Sequence, residues 1–197
     1  LTESIDDASL IFVSEDTPTK NGIRNLDLIE ELIRDTFDKT NCPLVVTSQV
    51  PPGFTRSLRL PIYHMAETLR VKDAEKRAFS PEQFIIGCEI SNDHLPQVLE
   101  DYLKVFECPV YVGTYEDAEF AKIAINMTLA SQVENANRLS KAASRVGADW
   151  EIIKLILQAD KRIGPRSYLE PGDWKQSQHL LRDYVTLLEI ENGQLQD

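Results

Sequence analysis

Glycine is scarce and evenly spread in this 197-residue chain: the eight glycines stand at positions 22, 53, 87, 113, 147, 164, 172 and 193, never fewer than eight residues apart. Neither G-x-G-x-x-G nor G-x-x-x-x-G-K can be written anywhere, which excludes a self-sufficient dinucleotide or phosphate-loop turn. Cysteine is also rare. Cys42, Cys88 and Cys108 are an odd number at wide spacing, each beside a strand-like segment, so free buried thiols are expected rather than disulfides or a metal cluster. Reduced thiols fit a cytoplasmic setting. No apolar run approaches the roughly 18 residues of a membrane span, and Leu1 opens on acidic LTESIDD without the basic-then-apolar order of a signal peptide. The expectation is a soluble chain with no membrane partner. Basic residues are outnumbered, 21 Lys and Arg against 32 Asp and Glu for a net charge of −11. That argues against nucleic acid as a partner and requires any anionic ligand to be held by a local site.

What is present is enough apolar residue, 42% of the chain, to bury a core. LIFVS (10–14) and PLVVTS (43–48) are short continuous apolar runs of the kind found in strands covered on both faces. Ile62 to Met65, FIIGCE (84–89) and PVYVG (109–113) continue the series. Between them, EDTPTKNGIRN reads as a loop, Asn25 as the cap of a helix from Leu26 to Phe37, and Leu95 to Phe106 as a second helix. Strands alternating with helices imply an α/β fold with a mainly parallel sheet, in which ligands collect at the carboxyl ends of strands.

From Thr114 the composition turns helical. TYEDAEFAKIAINMTLASQVENANRLSKAASRVG reads as one helix of about nine turns, capped by Thr114 with Asp117 three residues on and stopped by Gly147. Phe120, Ile123, Ala124, Met127, Ala130, Val133, Ala136, Leu139, Ala143 and Val146 form its expected buried stripe. Lys122 and Asn126 are i,i+4 neighbours beside that stripe. On their own they read as a solvated edge with a snorkelling lysine. Asp149 caps a further helix to about Ala159, a Gly- and Pro-containing loop spans 161–173, and a last helix runs from about Lys175 to Glu191.

The wording around those two residues changes their weight. E-F-A-K-I-A-I-N-M (119–127), followed by D-K-R-I-G-P (160–165), resembles the central helical region of the UDP-glucose/GDP-mannose dehydrogenase family. Thr17-Pro18 resembles the family's threonine-proline loop. Ser48-Gln49-Val50-Pro51-Pro52-Gly53 resembles its serine-threonine-valine-proline turn, with Gln49 in place of threonine. Ala66-Glu67-Thr68-Leu69-Arg70 resembles its proline-glutamate-phenylalanine-leucine segment. The resemblance covers nearly all of these residues but only the middle of a typical member. It implies the C-terminal half of a Rossmann-like domain over 1–113 and a helical central and dimerisation domain over 114–197, a homodimer through the 114–147 helix, NAD as cofactor and a nucleotide sugar as substrate.

In that family a sugar C6 alcohol is oxidised twice, with a cysteine capturing the intermediate aldehyde. The resemblance makes Lys122 and Asn126 the groups that stabilise the oxyanion, Asp183 a proton-transfer assistant and Glu67 the acid/base glutamate. It assigns Thr17, Pro18, Ser48, Gln49 and Glu67 to the cofactor, and Glu67, Thr68, Leu69, Arg70, Lys122, Asn126, Arg162 and Tyr168 to the substrate. The departure lies after Arg162-Ile163-Gly164: His179 occupies the cysteine position, and Trp174, Gln176 and Ser177 replace three glycines, while Arg182-Asp183 keeps the charge pattern of lysine-aspartate. His179 reads either as a neutral base for the first oxidation or as a surface histidine, and Asp183 either as catalytic or as a helix-surface partner of Arg182. Three readings stay open: a nucleotide-sugar dehydrogenase homologue, a catalytically silent relative retained for dimerisation or partner binding, and an ordered fragment of a longer chain.

Overall fold

A computed structural model describes residue 5 and residues 7–68, 73–91 and 94–194, which form two compact units, one reaching Lys122 and one from Ile123 to Gln194. The first unit is built in the order β1 (Ile11–Val13), β2 (Thr19–Lys20), β3 (Ile23–Arg24), α1 (Asp27–Lys39), β4 (Leu44–Val46), α2 (Phe54–Ser57), β5 (Tyr63–Met65), α3 (Ala74–Phe79), β6 (Phe84–Cys88), α4 (Gln97–Lys104) and β7 (Val110–Thr114). The long helix α5 (Tyr115–Arg145) begins here and continues into the second unit.

Five strands form one sheet in the order β1-β4-β5-β6-β7. β1, β4 and β5 are mutually parallel, as the alternating pattern predicts. β6 then runs antiparallel to β5 and parallel to β7. A parallel return needs a crossover, usually a helix across the sheet, and among its described residues the β5–β6 connection offers only the six-residue α3. The sheet separates two apolar layers because successive strand residues face opposite ways. Leu44 and Val46 join Val13, Ile29, Ile33, Phe54 and Ile62 on one side, whereas Val45 joins Met65, Ile86, Leu99 and Leu103 on the other. Phe12, Phe84 and Phe106 surround Tyr102 on the second side, with ring centroids 4.9 to 6.4 Å from its own.

The segment read as a loop after β1 holds a hairpin, with Thr19 paired to Arg24 and Lys20 to Ile23. Its two turn residues, Asn21 and Gly22, both have positive φ, 53° and 82°. That is the Asn-Gly two-residue hairpin, and it was legible in K-N-G-I. Asn25 does cap α1, accepting the Asp27 amide at 2.9 Å.

The start of α5 is the capping box the sequence predicts: Thr114 N donates to Asp117 Oδ2 at 2.8 Å, and Asp117 N donates to Thr114 Oγ1 at 3.2 Å. The buried stripe differs from expectation. Phe120 and Leu139 are each 41% exposed and Val146 is 80% exposed. The line that turns inward runs through Tyr115, Ala118, Glu119, Ile123, Asn126, Ala130 and Ala136, so two polar residues occupy core positions. A Cβ at Gly87 would stand 2.9 Å from Tyr115 Cα and 3.0 Å from Ala118 Cβ. The absent side chain is what lets α5 lie directly on β6.

The second unit has no sheet among its described residues. It comprises the rest of α5, α6 (Trp150–Ala159), a 3-10 turn at Trp174–Gln176 and α7 (Gln178–Glu191). Side chains from the helices hold its long loop. Tyr168 N donates to Gln132 Oε1 at 2.8 Å, and the Asn137 carboxamide makes a two-way pair with Gly172 N and O, at 2.9 and 2.7 Å. Trp150 Nε1 donates to Leu169 O at 3.1 Å, and Lys154 bonds Glu170. No helix among the described residues is long and apolar enough to cross a membrane.

Candidate active site

Because β1, β4 and β5 are parallel, the segments after them share one rim of the first unit. Glu15 N donates to Ser48 Oγ at 3.0 Å, and Thr17 Oγ1 donates to Gln49 O at 3.1 Å. Thr17, Ser48 and Gln49, the residues assigned to a cofactor, are therefore brought together. Thr17 and Ser48 are buried, their hydroxyls joining the two loops, while Pro18 is exposed. Glu67 lies exposed just past β5, near Tyr102, whose phenol is pushed up first by burial and then by the Glu67 charge. Thr68 is half-buried beside it. Leu69 and Arg70 lie outside the described residues.

The turn after β4 is tied to α5 by a single buried carboxylate. Glu119 is 1% exposed, and its carboxylate accepts Gly53 N at 2.7 Å and Thr55 N at 2.9 Å. Burial pushes its pKa up to about 7, against the lowering effect of the Thr55 and Gly53 hydrogen bonds. One signal could have found it: position 119 is i+4 from Tyr115 and i−4 from Ile123, on the inward line. Next to it, Arg56 holds the Glu116 carboxylate with two nitrogens and stands 5.4 Å over the Tyr115 ring, whose hydroxyl donates to Ile62 O at 2.7 Å. Lys122 is half-buried one turn further along.

Under the start of α5, His64 on β5 is 2% exposed, with Nδ1 lacking a hydrogen-bonding partner. Burial pushes its pKa down to about 4, so it is neutral at physiological pH.

In the second unit, Asn126 Nδ2 donates to Asp183 Oδ2 at 2.6 Å, with Asn126 8% and Asp183 0% exposed. A carboxylate only accepts, so the amide must face it with its nitrogen, and the carboxamide orientation is fixed. This overturns the helix-surface reading of Asp183. Arg182 is also buried, and its carbonyl accepts the Thr186 hydroxyl at 3.0 Å. His179 stands exposed on the first turn of α7, one turn before Asp183. Arg162 is exposed and bonds Asp160 two residues away, with both carboxylate oxygens engaged. Tyr168 is half-buried in the loop held by Gln132. Among the described residues no group of three His, Cys, Asp or Glu side chains could hold a metal.

Two polar residues 57 positions apart that meet in the core are a specific constellation, and the surrounding sequence is specific as well. Residues 116–191 match the UDP-glucose/GDP-mannose dehydrogenase family, central domain. The matched segment contains Lys122, Asn126, Arg162, Tyr168, His179 and Asp183. A UDP-glucose 6-dehydrogenase of Bacillus subtilis is 28% identical over 180 residues, covering 84% of this chain and 40% of the relative. An uncharacterized protein of Methanocaldococcus jannaschii is 32% identical over 184 residues, 85% of this chain and 20% of its own. Among solved structures, a GDP-mannose dehydrogenase ternary complex from Pseudomonas aeruginosa aligns at TM-score 0.67 and 28% identity, over 84% of this chain and 43% of that one. A UDP-glucose dehydrogenase from Pyrobaculum islandicum aligns at TM-score 0.77 over 98% and 49%, at 23% identity. The recognition and the α/β fold class read from the sequence therefore hold, with residues 116–191 matching the family's central domain and the fold matching that of the solved dehydrogenase. The chain spans from a fifth to two fifths of the length of these two curated relatives.

Proposed function

We propose that this chain is the central part of a nucleotide-sugar 6-dehydrogenase, an NAD-dependent oxidoreductase acting on the primary alcohol of a UDP- or GDP-hexose in the cytoplasm. The observation that carries the reading is the buried Asn126–Asp183 hydrogen bond, which joins two of the positions matched to the family's reaction. In this account Lys122 and the oriented Asn126 carboxamide stabilise alkoxide charge on the substrate oxygen, Asp183 keeps that carboxamide aligned, and Glu67 exchanges the proton. Thr68, Leu69, Arg70, Arg162 and Tyr168 are assigned to the sugar nucleotide. The family's NAD does not fit this set of residues as a whole. Thr17, Pro18, Ser48 and Gln49 can border one end of it, but no glycine-rich turn exists for its pyrophosphate.

With His179 where the family has cysteine, no thiol is available to capture the aldehyde, so oxidation stops after the first step. Incubation of a complete form carrying these residues with NAD and each UDP- and GDP-hexose, with NADH counted per sugar consumed, tests this. A ratio near one supports it; a ratio near two with uronic acid formed means that another group does the cysteine's work. Absence of NADH with the fold intact favours the silent-relative reading, for which the exposed position of His179 is the specific support. Ile152, Leu155 and Ile156 on α6 are 57%, 66% and 59% exposed. This apolar strip supports a homodimer formed through the helical region, which light scattering at tens of micromolar tests.

A further inference from the structure

Glu119 is the one buried carboxylate of the first unit's described residues, and it does not answer a cation. It answers main-chain amides at Gly53 and Thr55, on either side of the start of α2. Gly53 holds φ at +91°, a left-handed conformation that aims its amide inward. The turn from Thr47 to Thr55 carries no charged residue of its own. At one end this turn is joined to the β1 loop through Ser48 and Gln49; at the other it is held by Glu119.

We propose that Glu119 is a positioning residue: by clamping the Gly53 and Thr55 amides it sets the conformation of the 48–55 turn, and with it the placement of Ser48 and Gln49 against a ligand at the strand rim. The ligand part of this rests on the dehydrogenase reading. The clamp does not.

Ionisation governs its strength. A carboxylate accepts both amide hydrogens fully, whereas a carboxylic acid carries its proton on one of the two oxygens and weakens that bond. Burial places this change near neutral pH, at about 7. The charged groups around it are few. Glu116, on the same helix, adds to the upward push, and Arg56 on α2 is committed to Glu116. Lys122 follows three residues along α5. β5 turns His64 to the side of the sheet that α5 covers, and burial keeps that ring neutral.

The test is a pH titration of the amide resonances of the 197-residue chain, with no cofactor or substrate added. The Gly53 and Thr55 amides should move together with a midpoint near 7, the Ser48 and Gln49 amides should follow with the same midpoint, and Glu119→Gln should abolish all four transitions. In that variant the Gly53 and Thr55 amides should exchange with solvent on the order of tenfold faster, one hydrogen bond having been lost. Gly53 and Thr55 amides that show no transition over the whole pH range in which the chain stays folded, or that keep their transition in Glu119→Gln, overturn the clamp. A transition confined to Gly53 and Thr55 overturns the positioning of Ser48 and Gln49. If Glu119→Gln fails to fold, the wild-type titration alone decides. Absence of NADH formation would sink the dehydrogenase reading and leave these amide results standing; flat amides would do the reverse.

Discussion

The two units solve the same problem with different groups. In the first, a sheet ladder pairs main chain in the core, and of the polar side chains buried there Glu119 answers loop amides while His64 leaves its Nδ1 without a partner. In the second there is no sheet among the described residues. Side-chain amides and an indole take over, as Gln132, Asn137 and Trp150 bond loop main chain at 168, 172 and 169. Buried main-chain groups must be paired somewhere, and where no ladder exists individual side chains become structural. Single substitutions of polar residues should therefore be felt in the helical unit, and apolar ones in the sheet unit.

The largest expected effect is in the sheet layer. Ile33 is fully buried on α1 against β4 and α2, so Ile33→Ala should cost about 3 kcal/mol by chemical denaturation. Asp183→Ala should follow at about 2 kcal/mol, because it strands the Asn126 amide in the core. A double change with Asn126→Ala should recover part of that loss; strict additivity would mean that the two residues act independently.

The pH response sharpens the contrast, since His64 and Glu119, two buried groups of the sheet unit that shift toward or through the range between pH 4 and 7, oppose each other. His64 has a folded pKa of about 4 against an ordinary 6.5. The unfolded chain therefore binds a proton that the folded one does not, and stability is lost as pH falls through that window. Glu119 has a folded pKa of about 7 against an ordinary 4.5, so its contribution is present at low pH and lost as pH rises through that window. The wild type should be nearly flat where the windows overlap. Denaturation midpoints of Glu119→Gln should rise with pH from about 4 to 6.5, while those of His64→Leu should fall from about 4.5 to 7. Two variants with the same slope would show that these groups are not the ones that titrate.

Smaller effects close the ranking. Asn137→Ala removes both bonds to Gly172 and should cost about 1 kcal/mol, with faster proteolysis of the 161–173 loop as the local readout. Arg162→Ala should leave the denaturation midpoint unchanged, because its pairing with Asp160 is local and its side chain is 88% exposed. A large effect there would mean that Arg162 meets something beyond its own loop.

Much of the architecture was determined by the sequence itself, through short-range rules that the chain satisfies locally. The Thr114–Asp117 capping box, the Asn25 cap, the buried LVV of β4 and the Asn21-Gly22 hairpin each depend on residues within a few positions. The hairpin reads as a loop in the sequence because its strands are only two residues long. The family wording around Lys122, Asn126 and 160–165 was likewise visible without a structure. Tertiary structure alone decided the rest: that β6 reverses against β5, that α5 turns Glu119 and Asn126 inward while leaving Phe120 half in solvent, and that Asp183 is buried rather than on a helix surface. These facts depend on partners 21 to 66 residues away. Whether a carboxylate is a solvated surface charge or a buried clamp depends on which distant amides the fold brings to it, because burial without such partners is too costly to survive.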